Sequence, residues 1–368
     1  MPTRNNYDLL RLILAVTVIL SHSYILGSGS YQGEPFYVIS RGHSTGGGLA
    51  VDTFFLISGI LIASSWERCK NSFEYFKKRV RRIYPAFLGV SLVSLLVVLP
   101  LSSGTIKGDS FLEKLASSVF DVITLRGFSI TGAFPANPRG GFNGSLWTIR
   151  YEFGCYICLA ILGILGLYRR RRVLICQFIA VYIVGIFAEW HWPGISGPEG
   201  SFHASSPAVQ NFVHWCHFAP IYMAGMLAWI YRLRIRLDGR IALGCLALLC
   251  VASAIPVGLA VVYPFAGTYL VVFAACRKPV LQWVTRHGDL SYGTYLYAFP
   301  VQQLVIQSFG GKVNPLVVFA IATPLTLSLA AGSWFVIERR FLHRKQLQTR
   351  KLPVEYGVKP KATPHFVS

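Results

Sequence analysis

The stretch NNYDLLRLILAVTVILSHSYIL, residues Asn5 to Leu26, reads as a membrane helix that carries two residues a membrane disfavours. A spanning helix needs about 20 predominantly apolar residues. This one has them, yet keeps Arg11 near one end and His22 toward the other. A central arginine costs roughly 2.5–3.5 kcal/mol on insertion scales. The two residues are eleven positions apart, three turns plus about 20°, so they share one helix face about 16 Å apart along the axis. Arg4, seven residues before Arg11, falls near the same face. Two readings are open. In one, Arg11 snorkels to the headgroups and His22 bonds a neighbouring helix. In the other, the pair lines a cavity or relay, and the shared face favours that reading. A histidine with an ordinary pKa of about 6.5 suits a general base.

The rest of the chain resembles this segment in composition. It has 368 residues, 53% of them hydrophobic and 14% charged, where a soluble domain has about 25% charged residues. An integral membrane protein follows. The net charge of +20 raises the possibility of a nucleic-acid partner, but the basic residues fall in short runs between apolar segments, so no nucleic acid is expected. The first apolar segment lacks a small-residue cleavage site, so no cleavable signal peptide is expected. The eight cysteines lie mostly within apolar helices. Cys155 and Cys158 form a CxxC without a second pair or clustered histidines, so buried thiols and no metal site are expected.

Ten candidate spans run roughly 7–26, 47–65, 84–101, 146–167, 173–189, 211–230, 240–256, 257–275, 290–309 and 315–336. The seventh and eighth are divided by AIPVG, where Pro256 and Gly258 suit a tight turn. With the N-terminus in the cytoplasm, the loops on that side hold 27 Lys and Arg and the opposite loops hold six. That asymmetry satisfies the positive-inside rule. The expected fold is all-α and polytopic, with about ten transmembrane helices around a polar interior and both termini cytoplasmic. One membrane domain, 1–342, precedes a basic cytoplasmic tail, 343–368.

Three further stretches carry chemistry. In FEYFKKRVRRIYPAF, Arg79 and Arg82 share a face at i, i+3 and Lys78 meets Arg82 at i, i+4. Seven basic residues between Arg68 and Arg82 exceed what orientation requires and suit a polyanion such as the phosphates of a nucleotide cofactor. Arg79, Arg82, Lys78 and Tyr84 are the candidate cofactor-binding residues; an ordinary positive-inside loop is the competing reading. A glycine-rich phosphate loop is missing, which argues against an ATP-driven machine. In FNGSLWTIRYEFGCY, Glu152 and Arg150 enter the fourth span from the outer side, as a functional carboxylate or as a local ion pair, with Trp147 at the interface. Asp52 enters the second span in the same way. In DLSYGTYLYAFPVQQ, Tyr292, Tyr295, Gln302 and Gln303 bring hydroxyls and amides into the ninth span, where interhelical hydrogen bonding competes with a binding role. Asp52, Trp147, Tyr292 and Tyr295 are candidate substrate-binding residues.

Taken together, LRLILAVTVILSH, VDTFFLISGILI, RVRRIYP and SLWTIRYEF, supported by LSYGTYLYAFP and SWFVIERRFL, resemble the acyltransferase-3 family of bacterial membrane O-acyltransferases. The match covers about residues 5–342. The resemblance implies ten helices around a pore in the bacterial inner membrane. It also implies an acyl-CoA donor on the cytoplasmic side, acetyl-CoA first, and acyl transfer to a hydroxyl of an extracytoplasmic glycan or glycolipid. It places His22, Arg11 and Glu152 at the chemistry, and Arg79 and Arg82 at the donor entrance. Two departures stand out. Many members have a histidine where this chain has Ala298, and larger members carry an SGNH-type hydrolase domain, which is not expected here. Acceptor specificity is therefore expected from the loops 27–46 and 102–145. In this reading His22 deprotonates the acceptor hydroxyl, or carries the acyl group covalently, and Arg11 orients the donor or intermediate. The alternative class is a transporter or flippase of a glycan or lipid-linked sugar that uses Arg11, Glu152 and Asp52 as its path.

Overall fold

The computed structural model describes residues 6–102, 119–126, 133–192, 206–278, 280–281 and 288–342. Among these every long element is a helix and there is no strand. In chain order they are α1 Tyr7–Ser28, the short α2 Pro35–Ile39, α3 Gly46–Arg68, α4 Ser72–Leu101, α5 Leu146–Ile164 and α6 Arg171–His191. They continue with α7 Pro207–Ile230, α8 Gly239–Ser253, α9 Gly258–Ala275, α10 Ser291–Ser308 and α11 Pro315–Phe341. All ten predicted segments fall on helices in the predicted order. Among the described residues, seven helices are long and apolar enough to cross a membrane: α1, α3, α4, α5, α6, α9 and α11. α8 is shorter, and α7 and α10 are diluted by histidine, tyrosine and glutamine. The tail 343–368 and much of the loop 102–145 lie outside the described residues.

One boundary departs from expectation. The basic stretch before Pro85 is part of helix α4, which begins at Ser72 with Pro85 in its interior. Side-chain capping explains the early start: Asn71 accepts a hydrogen bond from the Glu74 amide at 2.8 Å, and Glu74 reaches back to the Lys70 amide at 2.9 Å. Lys78, Arg79 and Arg82 are thereby fixed on a helix face. The turn between α8 and α9 forms as expected, with Val257 at φ +61°.

α3 is the central stave. Of its most apolar window 78% is buried inside the protein, against 28% for α6 and α11. It crosses α7 at backbone contact: a Cβ on Gly59 would meet the Tyr222 carbonyl at 2.1 Å, and one on Gly225 would meet that of Leu56 at 2.1 Å. Phe55 and Phe218 stack beside this crossing at 4.0 Å. α1 packs between α3, α10 and α11, so its Arg11–His22 face looks into the bundle.

The basic ends of the helices meet at one end of the bundle. Asn6, ahead of α1, accepts the Val280 amide and donates to carbonyls at the end of α9. At the end of α3, Glu67 accepts from Tyr168 at 3.0 Å and from Trp229 at 2.8 Å. Burial, then the Glu67 charge, raises the pKa of the Tyr168 phenol, which lies between α5 and α6. At the other end, Glu34 closes the loop 27–46: it accepts the Tyr37 amide at 2.5 Å and the Gly46 amide at 3.0 Å.

Candidate active site

A cavity of about 400 Å³ opens among α1, α3, α4, α5 and α10. Its basic end is lined by Arg68, Lys78, Arg79, Arg82 and Arg11, and its deeper wall by Ser58, Thr148, Glu152, Tyr156, Tyr292 and Tyr295. Seven of the residues singled out from sequence therefore share one space: Arg11, Lys78, Arg79, Arg82, Glu152, Tyr292 and Tyr295. They come from four helices, and α4 supplies three on one face because of its early start.

The cations differ in what holds them. Lys78 pairs with Glu74 at 2.8 Å and approaches Cys69 Sγ at 3.4 Å near the mouth. Arg79 donates to Ser65 Oγ at 3.2 Å and lies 5.9 Å from the ring centres of both Tyr75 and Tyr156. Its buried Nε has no hydrogen-bond partner among the described residues. Arg82 is committed more tightly, to Asp289 at 2.5 Å and Glu338 at 3.6 Å, with the Tyr292 ring centre 5.3 Å away. Arg11 pairs with the same Asp289 oxygen. The charge of Arg11 is thus met by a carboxylate inside the bundle.

Deeper in the cavity, Glu152 Oε1 accepts from Tyr156 OH at 2.5 Å and from Ser58 Oγ at 3.0 Å. The local ion pair with Arg150 does not form. Residues two apart on a helix point to different faces, and Arg150 donates instead to Asn211 and to Tyr151 OH, each at 2.8 Å. Tyr295 OH and Thr148 Oγ1 are 2.8 Å apart, and Tyr292 OH donates to the Ile83 carbonyl at 3.2 Å. This wall offers a carboxylate, hydroxyls and aromatic faces, which suit a polar reacting group at the end of a longer ligand.

Four candidates lie outside the cavity lining. His22 is 1% exposed and sits edge-on to Phe299, ring centres 5.7 Å apart. Asp52 is bonded to His217 Nε2 at 2.7 Å, and Glu189 lies 3.7 Å from Nδ1 of the same ring. Trp147 packs on His214 at 4.6 Å within an aromatic group that includes Tyr151 and Phe218. Tyr84 OH donates to the Ile123 carbonyl at 2.8 Å. Gln302 and Gln303 take the interhelical role: Gln302 donates to the Ile19 carbonyl and Ser23 Oγ, and Gln303 to the carbonyls of Arg139 and Gly141.

Sequence reasoning passed over Asp289, Glu338, Ser58, Tyr156, His217 and Glu189. Asp289 lies one residue before the cap position Leu290 of α10, where an Asp reads as a turn residue, and it accepts the Ser291 amide at 3.1 Å. Tyr156 is at i+4 from Glu152, a spacing at which side chains meet. The other four are joined to their partners only through tertiary contacts.

With this geometry in place, the comparisons agree with one another. A family model described as an acyltransferase domain matches residues 4–335. The chain is 29% identical over 362 residues to the O-acetyl transferase of Shigella phage Sf6, covering 94% of this chain and 98% of that protein. It is 28% identical over 372 residues to nodulation protein 10 of Rhizobium leguminosarum bv. viciae, covering 95% and 97%. A shorter match, 28% over 114 residues, covers 31% of this chain and 28% of acyltransferase MdmB of Streptomyces mycarofaciens. No solved structure matches. The chain belongs to the acyltransferase-3 family and is a membrane acyltransferase.

Proposed function

We propose that this protein is an O-acyltransferase of the bacterial inner membrane. It takes an acyl group, acetyl first, from acyl-CoA on the cytoplasmic side and passes it to a hydroxyl of an extracytoplasmic glycan or glycolipid. It does so with ten spans and both termini in the cytoplasm. One observation carries the reading: a single cavity joins a cluster of guanidinium and ammonium groups to a wall of Glu152, Tyr156 and Tyr295. The cationic end suits the phosphates of CoA, because guanidinium pairs with phosphate in two parallel hydrogen bonds. The relative named O-acetyl transferase supports both the acetyl group and the oxygen acceptor.

In this reading the donor enters at Arg68, Lys78 and Arg79 and extends its thioester past Arg11 and Arg82. The acceptor arrives from the opposite side, toward His22. His22 removes the hydroxyl proton as the oxygen attacks the thioester carbonyl. The tetrahedral intermediate collapses with cleavage of the C–S bond, and the imidazolium returns the proton to the thiolate, leaving an ester and free CoA. A positioned base contributes about 10²–10⁴ in rate. Glu152, held by Tyr156 and Ser58, orients the reacting groups from the cavity wall.

The test is turnover by purified protein in lipid nanodiscs with acetyl-labelled acetyl-CoA and a surface-glycan fraction. Acceptor-dependent release of free CoA, with label in ester linkage to glycan, is expected. Binding of the glycan without CoA release would sink the reading and favour transport.

A further inference from the structure

Arg11 and Arg82 stand on different helices, α1 and α4, and reach the same point of the cavity wall. Two cations side by side in a low-dielectric interior repel and are costly to bury. Asp289, in the turn that enters α10, is what brings them together. Its side chain is fully buried, and its Oδ2 accepts from Arg11 Nη1 and, at 2.5 Å, from Arg82 Nη2. Its Oδ1 accepts from the amide of Ser291, at 3.1 Å, and from the Ser291 hydroxyl. The carboxylate is therefore fixed to the first turn of α10, and both guanidiniums are fixed to the carboxylate. Glu338, turned inward by the π-helical turn Trp334–Glu338 of α11, sits 3.6 Å from Arg82 Nη1 and balances the second positive charge. Even so, Arg82 Nη1 is buried without a hydrogen bond among the described residues. Two guanidiniums and two carboxylates thus form a nearly neutral cluster at the cavity wall.

We infer that Asp289 is a positioning residue for the donor, acting through Arg11 and Arg82 to set the anion-binding edge of the cavity. The inference rests on the reading of this cavity as the acyl-CoA site. Without the carboxylate each guanidinium keeps its charge and loses its direction. The donor is then held by charge alone, and the two-bond geometry that distinguishes arginine from lysine is lost.

The test uses the full-length protein in nanodiscs, wild type against Asp289→Asn and Asp289→Glu, with acetyl-CoA as the probe. Asparagine preserves the shape and a bond to Ser291 but removes the charge, and glutamate keeps the charge but displaces it by one methylene. Both variants are expected to melt as folded proteins and to weaken acetyl-CoA affinity, measured by binding and by KM, about tenfold or more, with a smaller change in kcat. The effect of Asp289→Asn should shrink at least about threefold, in logarithmic terms, in an Arg82→Gln background. Folded variants with wild-type affinity overturn the inference, as does an effect undiminished by Arg82→Gln. If the asparagine variant does not fold, the glutamate variant decides alone, and wild-type affinity there overturns it. A wild-type protein that neither binds nor turns over acetyl-CoA removes the donor reading itself, and this inference with it. A competent wild type with unaffected variants removes only the role of Asp289.

Discussion

Arg11 is accommodated inside the bundle because a carboxylate 278 residues away accepts its N–H. The same helix face leads to His22, which is buried against Phe299 rather than on the cavity wall. This contrast makes His22 the sharpest test at this scale. His22→Gln retains a hydrogen-bonding side chain but no basicity. It should insert, melt and bind acetyl-CoA like wild type while losing about 10²–10⁴ in transfer rate. Near-normal turnover would make the histidine interhelical glue and move the base to Glu152, which already lies in the cavity. Arg79→Ala should act on the donor instead. Losing a charge-assisted hydrogen bond costs about 1.5–3 kcal/mol, so acetyl-CoA affinity should fall by roughly one to two decades. Unchanged donor dependence in a titration of the folded variant would leave Arg79 as a topology signal.

Among the elements, α3 and α4 matter most to the site, for different reasons. α4 carries its three cavity-lining cations because the Asn71 and Glu74 caps start the helix about three turns before the apolar run. A hydropathy reading begins the helix at the apolar run and so leaves those cations in a loop. α3 carries Ser58 and Ser65 into the cavity because Gly59 and Gly225 let it lie directly on α7. Small residues of this kind substitute for a hydrophobic driving force between membrane helices. Gly59→Leu should therefore separate the two helices, destabilising the protein by about 1–3 kcal/mol or more through overpacking. Gly244→Leu, at a position with open space around it, should leave the melting temperature in detergent nearly unchanged. Equal melting of the two variants would show that the α3–α7 crossing is not a fixed contact.

For the whole molecule, the described basic helix ends gather at one end of the bundle, in the sense of the charge asymmetry read along the chain. It predicts the orientation. In intact cells, with other reactive thiols removed, a cysteine at Gln32 should react with an impermeant maleimide, and one at Lys70 should react only after permeabilisation; both positions are exposed in the fold. Labelling at Lys70 but not at Gln32 would invert the topology and place the cationic mouth of the cavity away from the cytoplasmic acyl-CoA pool.

The sequence by itself determined that this is a helical membrane protein, the order of its helices, and which cations, carboxylates and tyrosines repay attention. Apolar length, the spacing of Arg11 and His22, and loop charge are local properties, and in lipid a helix satisfies its backbone within its own segment. Only the tertiary structure decided which of those residues share a space. Arg11 meets Arg82 because both bond Asp289, Glu152 takes its partners from Ser58 and Tyr156, and Asp52 turns away to His217. Side-chain direction around a helix follows from its own period, but which neighbour fills that direction depends on how ten helices pack. In α7 and α10 the polar residues that dilute the apolar signal are the ones that face the protein interior. A buried ion pair forms between residues hundreds of positions apart because each charge is costly to bury alone.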